Sequence, residues 1–335
     1  MAVYKCKTWF DCINAVAEKI KNRGENLDNP TLVICEDKLT LAVETQICEL
    51  SGGSFSTEVC SLGRYAKKRL PQMNALSKEG AAMTVKKVLT QIAPRLEALK
   101  RVASSPSLAS ETSELIAQLK SAKITPEELK NAADGLIGRS AAKIRDVARI
   151  FAAYEDYLKS HGLTDSGDAL GNVVKAVEAD EAVGRSSVMF LGLSSLTRQT
   201  AEAVEKFADK AKNVDFYVVY GDNKDLYTNE FYSFCKKYDP NPKDAPTALT
   251  SEGEIIVNGL FDPAAYAKSG VKTNKIFEYE GADVADEADF IAARIRFEVI
   301  EKGYRYKDIA IGLGDYEEYA LTLTDKLNDY GIPYF

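Results

Sequence analysis

The sequence predicts an α/β fold: a parallel sheet flanked by helices and interrupted by a block that is helical throughout. Three observations carry this reading. The stretch Val188-Met189-Phe190-Leu191-Gly192-Leu193, preceded by Ser186-Ser187, is a run of six apolar or glycine positions, too short for a buried helix. That is the pattern of a strand covered on both faces. A striped helix follows, with Ala201, Val204, Phe207, Ala208 and Ala211 on one side and Thr197 as its expected cap. Val214-Asp215-Phe216-Tyr217-Val218-Val219-Tyr220 then supplies a second buried strand. Strand–helix–strand is the unit from which parallel sheets are built. Between residues 77 and 172, by contrast, the periodicity is helical alone.

The 335 residues allow about two or three domains. The longest apolar runs fall short of a membrane span, and no basic-then-apolar leader opens the chain, so a cytoplasmic protein without membrane contact is expected. The six cysteines, Cys6, Cys12, Cys35, Cys48, Cys60 and Cys235, contain no CxxC pair. They read as small hydrophobes, neither disulfides nor metal ligands. The only histidine, His161, lies in a helix-end turn, and no GxSxG elbow presents a serine. A Ser-His-Asp triad is therefore not expected. Net charge is −7, which argues against a nonspecific DNA coat. Residues 64–101 nonetheless hold ten Lys/Arg against two acids, a local +8 that leaves −15 elsewhere.

In chain order, residues 2–6 form a strand candidate, and a helix with Ile13, Val16 and Ile20 on one face follows. A phosphate-binding loop would sit between them, its glycines letting the backbone approach the phosphates. The residues present are Tyr4-Lys5-Cys6-Lys7-Thr8-Trp9, without glycine. Lys7-Thr8 mimics the end of such a loop, but side chains occupy the cradle, so a structural turn is expected. Thr31-Leu32-Val33-Ile34-Cys35 is the next strand, then a helix carrying Leu39, Val43, Ile47 and Leu50 and stopped by Gly52-Gly53. Thr57-Glu58-Val59-Cys60-Ser61 is a third strand, followed by the basic helix Arg64-Tyr65-Ala66-Lys67-Lys68-Arg69 and by Pro71.

In the helical block, Thr125-Pro126-Glu127-Glu128 is a capping box with proline at the first helical position. Glu128-Leu129-Lys130 matches the ExK of many nucleases, but those place it on a strand, so here it reads as chance. Residues 140–158 form a long helix striped by Ile144, Val147, Phe151, Tyr154 and Leu158. Residues 243–273 mix Pro, Gly, Ser and Thr around one short apolar run and read as a connector. A new α/β unit is expected from residue 275: strands over 275–280 and 308–313, a helix with Val284, Ala288, Ile291 and Ile295, and another reaching Asn328. Two strands are few for a sheet, and the expectation is an N-terminal piece of a longer protein. The divisions are thus 1–75 with 180–240 as the α/β domain, 76–179 as a helical insertion, 241–274 as connector, and 275–335 as the start of a second α/β domain.

The last of these carries a resemblance. EADFIAARIRFEVIEKGYRYKDIAIGLGDYEEYALTLTDKLNDYGIPYF resembles the start of the second motor domain of superfamily 1 helicases. It is closer still to the AddB/RexB family, the second subunit of the bacterial AddAB-type helicase–nuclease that processes double-strand breaks. VICEDKLTLAVETQI, EVCSLGRYAKKRL, IRDVARIFAAYEDYL and FLGLSSLTRQT match further family blocks in order, so the resemblance covers nearly the whole chain. It implies a P-loop-helicase-like sheet (1A-like), a 1B-like insertion and a truncated 2A-like domain. The departures matter. The GxxGxGKT of many AddB proteins is missing, as in the RexB-like branch. The family's Asp-Gly-Phe is Leu191-Gly192-Leu193, its later Glu is Thr200, and the arginine that reaches ATP in superfamily 1 motors is Gly314. The family's nuclease and iron–sulphur region lies beyond these residues.

The resemblance therefore implies a non-catalytic scaffold with no cofactor and no metal, pairing with an AddA-type helicase–nuclease subunit and guiding DNA ends, single- or double-stranded. The full-length subunit would belong to an ATP-dependent exodeoxyribonuclease/helicase complex. The DNA candidates are Arg64, Lys67 and Lys68, at i, i+3, i+4 on one side of a helix that leaves the C-terminal end of a strand, where open α/β sheets bind ligands. Lys86 and Lys87 extend the set, with Arg95, Lys100 and Arg101 nearby in sequence. Two rival readings stand beside this one: a divergent ATP-binding helicase domain using Lys7 and Thr8, and a protein-interaction module without DNA contact.

Overall fold

The structure, a computed structural model, describes residues 1–71, 74–193, 196–220, 230–259, 263–270 and 275–335. The chain forms two units, Met1–Ser269 and Gly270–Phe335.

The first unit opens with three strand–helix pairs: β1 (Ala2–Cys6) with α1 (Trp9–Arg23), β2 (Thr31–Cys35) with α2 (Thr40–Ser51), and β3 (Thr57–Cys60) with α3 (Leu62–Arg69). The chain then enters the helical block: β4 (Asn74–Ala75), α4 (Lys78–Ile92), α5 (Pro106–Ser121), α6 (Pro126–Asp134), α7 (Gly138–His161) and β5 (Leu163–Thr164). It returns through α8 (Ala169–Ala179), β6 (Ser187–Leu191), α9 (Arg198–Lys210), β7 (Asn213–Val219), α10 (Glu230–Cys235) and β8 (Lys243–Asp244), and ends in α11 (Ser251–Gly259) and α12 (Pro263–Ser269).

One parallel sheet of six strands runs β3-β2-β6-β7-β1-β8. The central strand β6 is buried at every position. Its side chains alternate between two cores, Val188 and Phe190 on one face, Met189 and Leu191 on the other. A strand buried on both faces has no polar positions to alternate, which is why it reads as a continuous apolar run. On the first face Phe190 stacks on Phe216, its register partner in β7, with centroids 5.5 Å apart.

The helical block has its own core, built from Val85 and Leu89 of α4, Ile116 of α5, and Ile150, Phe151 and Tyr154 of α7. The capping box on α6 forms as its sequence predicts, Thr125 and Glu128 each satisfying the other's backbone. Two devices join the block to the sheet layer. β4 and β5 pair in parallel. Gln199, in the first turn of α9, donates to the carbonyls of Lys120 (2.7 Å) and Gly167 (2.9 Å). The Lys120 ammonium is buried among Glu155, Asp165 and Asp168 at 2.8, 3.1 and 2.8 Å.

Two expectations need correction. The stretch 241–274 contains regular structure: Lys243 and Asp244 extend the sheet by pairing with Tyr4 and Lys5. The short apolar run at 254–257 lies in α11, where Thr250 accepts from the Gly253 amide at 3.2 Å. A threonine cap before an acidic first turn outweighs a composition rich in turn formers. The second unit differs more. Its described residues form α13 (Val284–Lys302) and α14 (Tyr316–Asp329), packed through Ala288, Ala292, Ile295, Leu323 and Leu327, and contain no strand. A 3₁₀ turn, Tyr306–Asp308, replaces the start of the expected strand at 308–313. Ile309 does have extended angles (φ −116°, ψ 131°), but an extended segment becomes a strand only when a neighbour completes its ladder. Residues 275–280 are held by side chains instead, Tyr279 stacking on Phe290 at 3.8 Å and donating to Asp286 at 3.0 Å.

All six cysteines are free thiols, and five of them are buried. Among the described residues no helix is long and apolar enough to cross a membrane.

Candidate functional site

In a parallel sheet every strand ends at the same edge, and helix N-termini gather there. Thr8 caps α1, its hydroxyl accepting from the Asp11 amide at 3.1 Å while the Asp11 carboxylate accepts from the Thr8 amide at 3.0 Å. Asp11 is almost wholly buried. The same carboxylate accepts from the Thr247 hydroxyl at 3.0 Å and the Ala248 amide at 2.8 Å. The negative end that a phosphate would bring to this helix is thus supplied by the chain itself. Lys7 is half-buried beside it.

The end of β6 is closed as well. Gly192 has φ +70°, and a Cβ placed there would meet Leu39 Cδ1 at 2.4 Å and Trp9 at 3.3 Å. The left-handed backbone favours glycine there, and any side chain would have to displace Leu39. Leu191 is buried in the core. Thr200 serves its own helix, its amide donating to the Thr197 cap at 3.1 Å and its hydroxyl lying 2.9 Å from the Thr197 hydroxyl. Ser194 and Ser195 of the same block lie outside the described residues. Gly314 belongs to the second unit, where it is exposed with open space around it.

The basic helix α3 starts at Ser61, whose hydroxyl accepts from the Arg64 amide at 3.2 Å. Its charges are partly answered at home. Arg64 pairs with Asp37 at 2.8 Å and Lys68 with Glu58 at 3.1 Å, both exposed at the arginine or lysine end. Arg69 is more deeply engaged, with two bonds to Glu58 at 2.8 and 2.9 Å and one to Asp180 at 2.7 Å. Its guanidinium lies 4.0 Å from the centre of the Tyr65 ring, and Tyr65 donates to Asp180 at 3.0 Å. The Arg69 bonds hold the Glu58 carboxyl below its ordinary value. At Asp180 burial pushes the other way, but the bonds from Arg69 and Tyr65 prevail and the net direction is down. Burial pushes the Tyr65 hydroxyl up. Lys67 is exposed and has no ion-pair partner among the described residues. An open groove of about 760 Å³ runs beside these groups, lined by Thr57, Glu58, Arg64, Lys68, Arg69 and Arg185.

Lys86 and Lys87 sit elsewhere. α3 packs on α8, whereas α4 packs on α5 and α7. Lys86 donates to the Ser104 carbonyl. Lys87 donates to the Tyr157 hydroxyl at 3.1 Å and lies 4.8 Å from the ring centre, and His161 stacks on Tyr157 with centroids 4.0 Å apart. The Tyr157–His161 spacing is a helical one and legible in the sequence. The arrival of Lys87 from another helix is not.

A six-stranded parallel sheet with a helical block inserted after its third strand defines an α/β class, and the turn after the first strand is its most individual feature. Within that class the chain belongs to the ADDB N-terminal family, whose sequence model, described as "ADDB, N-terminal", matches residues 7–239. It is similar to proteins named as the B subunit of an ATP-dependent helicase/deoxyribonuclease. One from Alkaliphilus metalliredigens is 24% identical over 347 residues, covering 95% of this chain. One from Natranaerobius thermophilus is 24% identical over 366 residues and one from Listeria innocua 24% over 353, each covering 96% of this chain. The chain spans about 30% of the length of these curated relatives.

Proposed function

We propose that this chain is the N-terminal, catalytically silent part of the B subunit of an AddAB-type helicase–nuclease, working in the cytoplasm on DNA double-strand breaks. There it pairs with an AddA-type motor subunit and holds or guides DNA. Membership of the ADDB N-terminal family supports the complex, and the names of the relatives support the setting. In this reading residues 1–75 with 180–240 are the 1A-like sheet domain, 76–179 the 1B-like insertion, and 275–335 the beginning of a 2A-like domain of superfamily 1 descent.

One observation carries the silence: the Asp11 carboxylate fills the anion position at the N-terminus of α1. A phosphate arriving there would meet a like charge and find the Thr8 amide already bonded. The rival reading, nucleotide binding through Lys7 and Thr8, asks for a Thr8 hydroxyl that already accepts from Asp11. At the end of β6, buried Leu191 stands where the family's block has a carboxylate, and Trp9 and Leu39 cover Gly192 beside it. Following a strand of DNA asks for positive charge and shape, not for hydrolysis, and Lys67 with its neighbours on α3 offers both. Calorimetric titration of the chain with Mg·ATP at millimolar concentration tests the silence. No binding heat is expected. A one-to-one, Mg²⁺-dependent isotherm would overturn it.

A further inference from the structure

The one histidine of the chain does not stand alone. His161 closes α7, and its ring lies against Tyr157 one turn earlier, the planes 20° from parallel and the centroids 4.0 Å apart. Its Nδ1 lies 2.9 Å from the Tyr157 carbonyl. The Ser160 hydroxyl lies 3.0 Å from the same nitrogen. The imidazole is therefore oriented at one nitrogen and packed on one face, while the residue as a whole is exposed. Lys87 reaches the same tyrosine from α4, its ammonium 3.1 Å from the hydroxyl. Lys159 lies in the same last turn of α7 and is exposed.

Chain topology adds a second point. β5 begins directly after Gly162, and its Leu163 pairs with Asn74 of β4, the strand that follows basic helix α3. The aromatic pair thus stands where the helical block rejoins the segment leaving that helix.

A flat ring fixed in advance at the surface, with a cation at its edge, is the chemistry that takes a nucleobase and its phosphate from a single strand. Fixing the ring beforehand matters, because the ordering cost of a mobile side chain is otherwise charged against binding. We propose that Tyr157, His161 and Lys87 form a stacking site for one base of single-stranded DNA, the base resting on the imidazole and Lys87 neutralising a neighbouring phosphate. This rests on the DNA-holding reading above and gives it a specific contact. Because every base has a flat face, the site carries no sequence preference.

The test is fluorescence anisotropy of the 335-residue chain with a labelled oligothymidylate and with an abasic oligomer of the same length. The parent binds the oligothymidylate more tightly than the abasic strand. His161→Ala, a change at an exposed position, weakens oligothymidylate binding on the order of tenfold and leaves abasic binding unchanged. His161→Phe, which keeps a flat ring, restores it. Parent-like binding by His161→Ala, or equal losses on both oligomers, overturns the stacking site while the DNA-holding reading stands. A parent that binds neither oligomer overturns both.

Discussion

A carboxylate in the first turn of a helix and a phosphate at the same place answer one need, the unpaired amides and the positive end of the helix dipole. Asp11 meets that need from within, and its bonds to Thr247 and Ala248 draw a distant segment to the same point. Half of this was legible: Thr8 and Asp11 stand at the spacing of a capping box. The other half was not, because Thr247 is 236 positions away from Asp11 and no local pattern announces a contact of that range. Arg69 is similar. Its position on a basic helix suggests solvent or DNA, yet it is spent on Glu58, Asp180 and Tyr65. Replacing it with methionine removes the guanidinium that two partly buried carboxylates share, leaving Glu58 only Lys68 and Asp180 only Tyr65 among the side chains, and a loss of about 2 kcal/mol in chemical denaturation is expected. The pH dependence follows in sign. Both carboxyls sit below their ordinary values, so their stabilisation is complete above the unfolded-state values near pH 4 and is lost as pH falls through the depressed folded-state values. Arg69→Met is expected to flatten that acid limb in a series of melts from about pH 5 downward. An acid limb as steep as the parent's would show that Arg69 does not hold these carboxyls down.

At the scale of elements, α3 is the most informative helix. Arg64 and Lys68 are tied by exposed ion pairs, and such pairs contribute about 0–1 kcal/mol, little enough for a phosphate to displace. Lys67 meets no such competition among the described residues. Replacing Arg64, Lys67 and Lys68 together by alanine is expected to lower the log–log salt slope of DNA affinity by about 2 to 3 units. Single strands and duplexes alike should weaken, without a change in base preference. A salt titration with an unchanged slope would return α3 to the role of a solvated face. The elements themselves were read unevenly. Strands buried on both faces, such as β2 and β6, announce themselves, since burial forces a continuous apolar run. The apolar residues of 308–313 carry the same signal, yet the described residues of that unit offer no ladder partner. β8 is the converse. Lys243 and Asp244 are two charged residues in no periodic pattern, and they pair only because β1 leaves an edge open to them.

At the scale of the molecule, the helical block, the sheet layer and the turn after β1 combine in one unit. The Gln199 amide pins block to sheet layer through the Lys120 and Gly167 carbonyls, which sets Lys87, Tyr157 and His161 at a defined place relative to that layer. A scaffold that holds DNA without nucleotide differs from a motor in one thermodynamic respect. In a motor, nucleotide and DNA alter each other's affinity by the same factor, whereas the silent scaffold proposed above would show no such coupling. The direct measurement is the affinity of the chain for a single-stranded oligonucleotide, with and without millimolar Mg·ATP, at several salt concentrations. The predicted result is salt-dependent binding that Mg·ATP leaves unchanged. Binding that shifts with Mg·ATP, or no binding at any salt concentration, would contradict it.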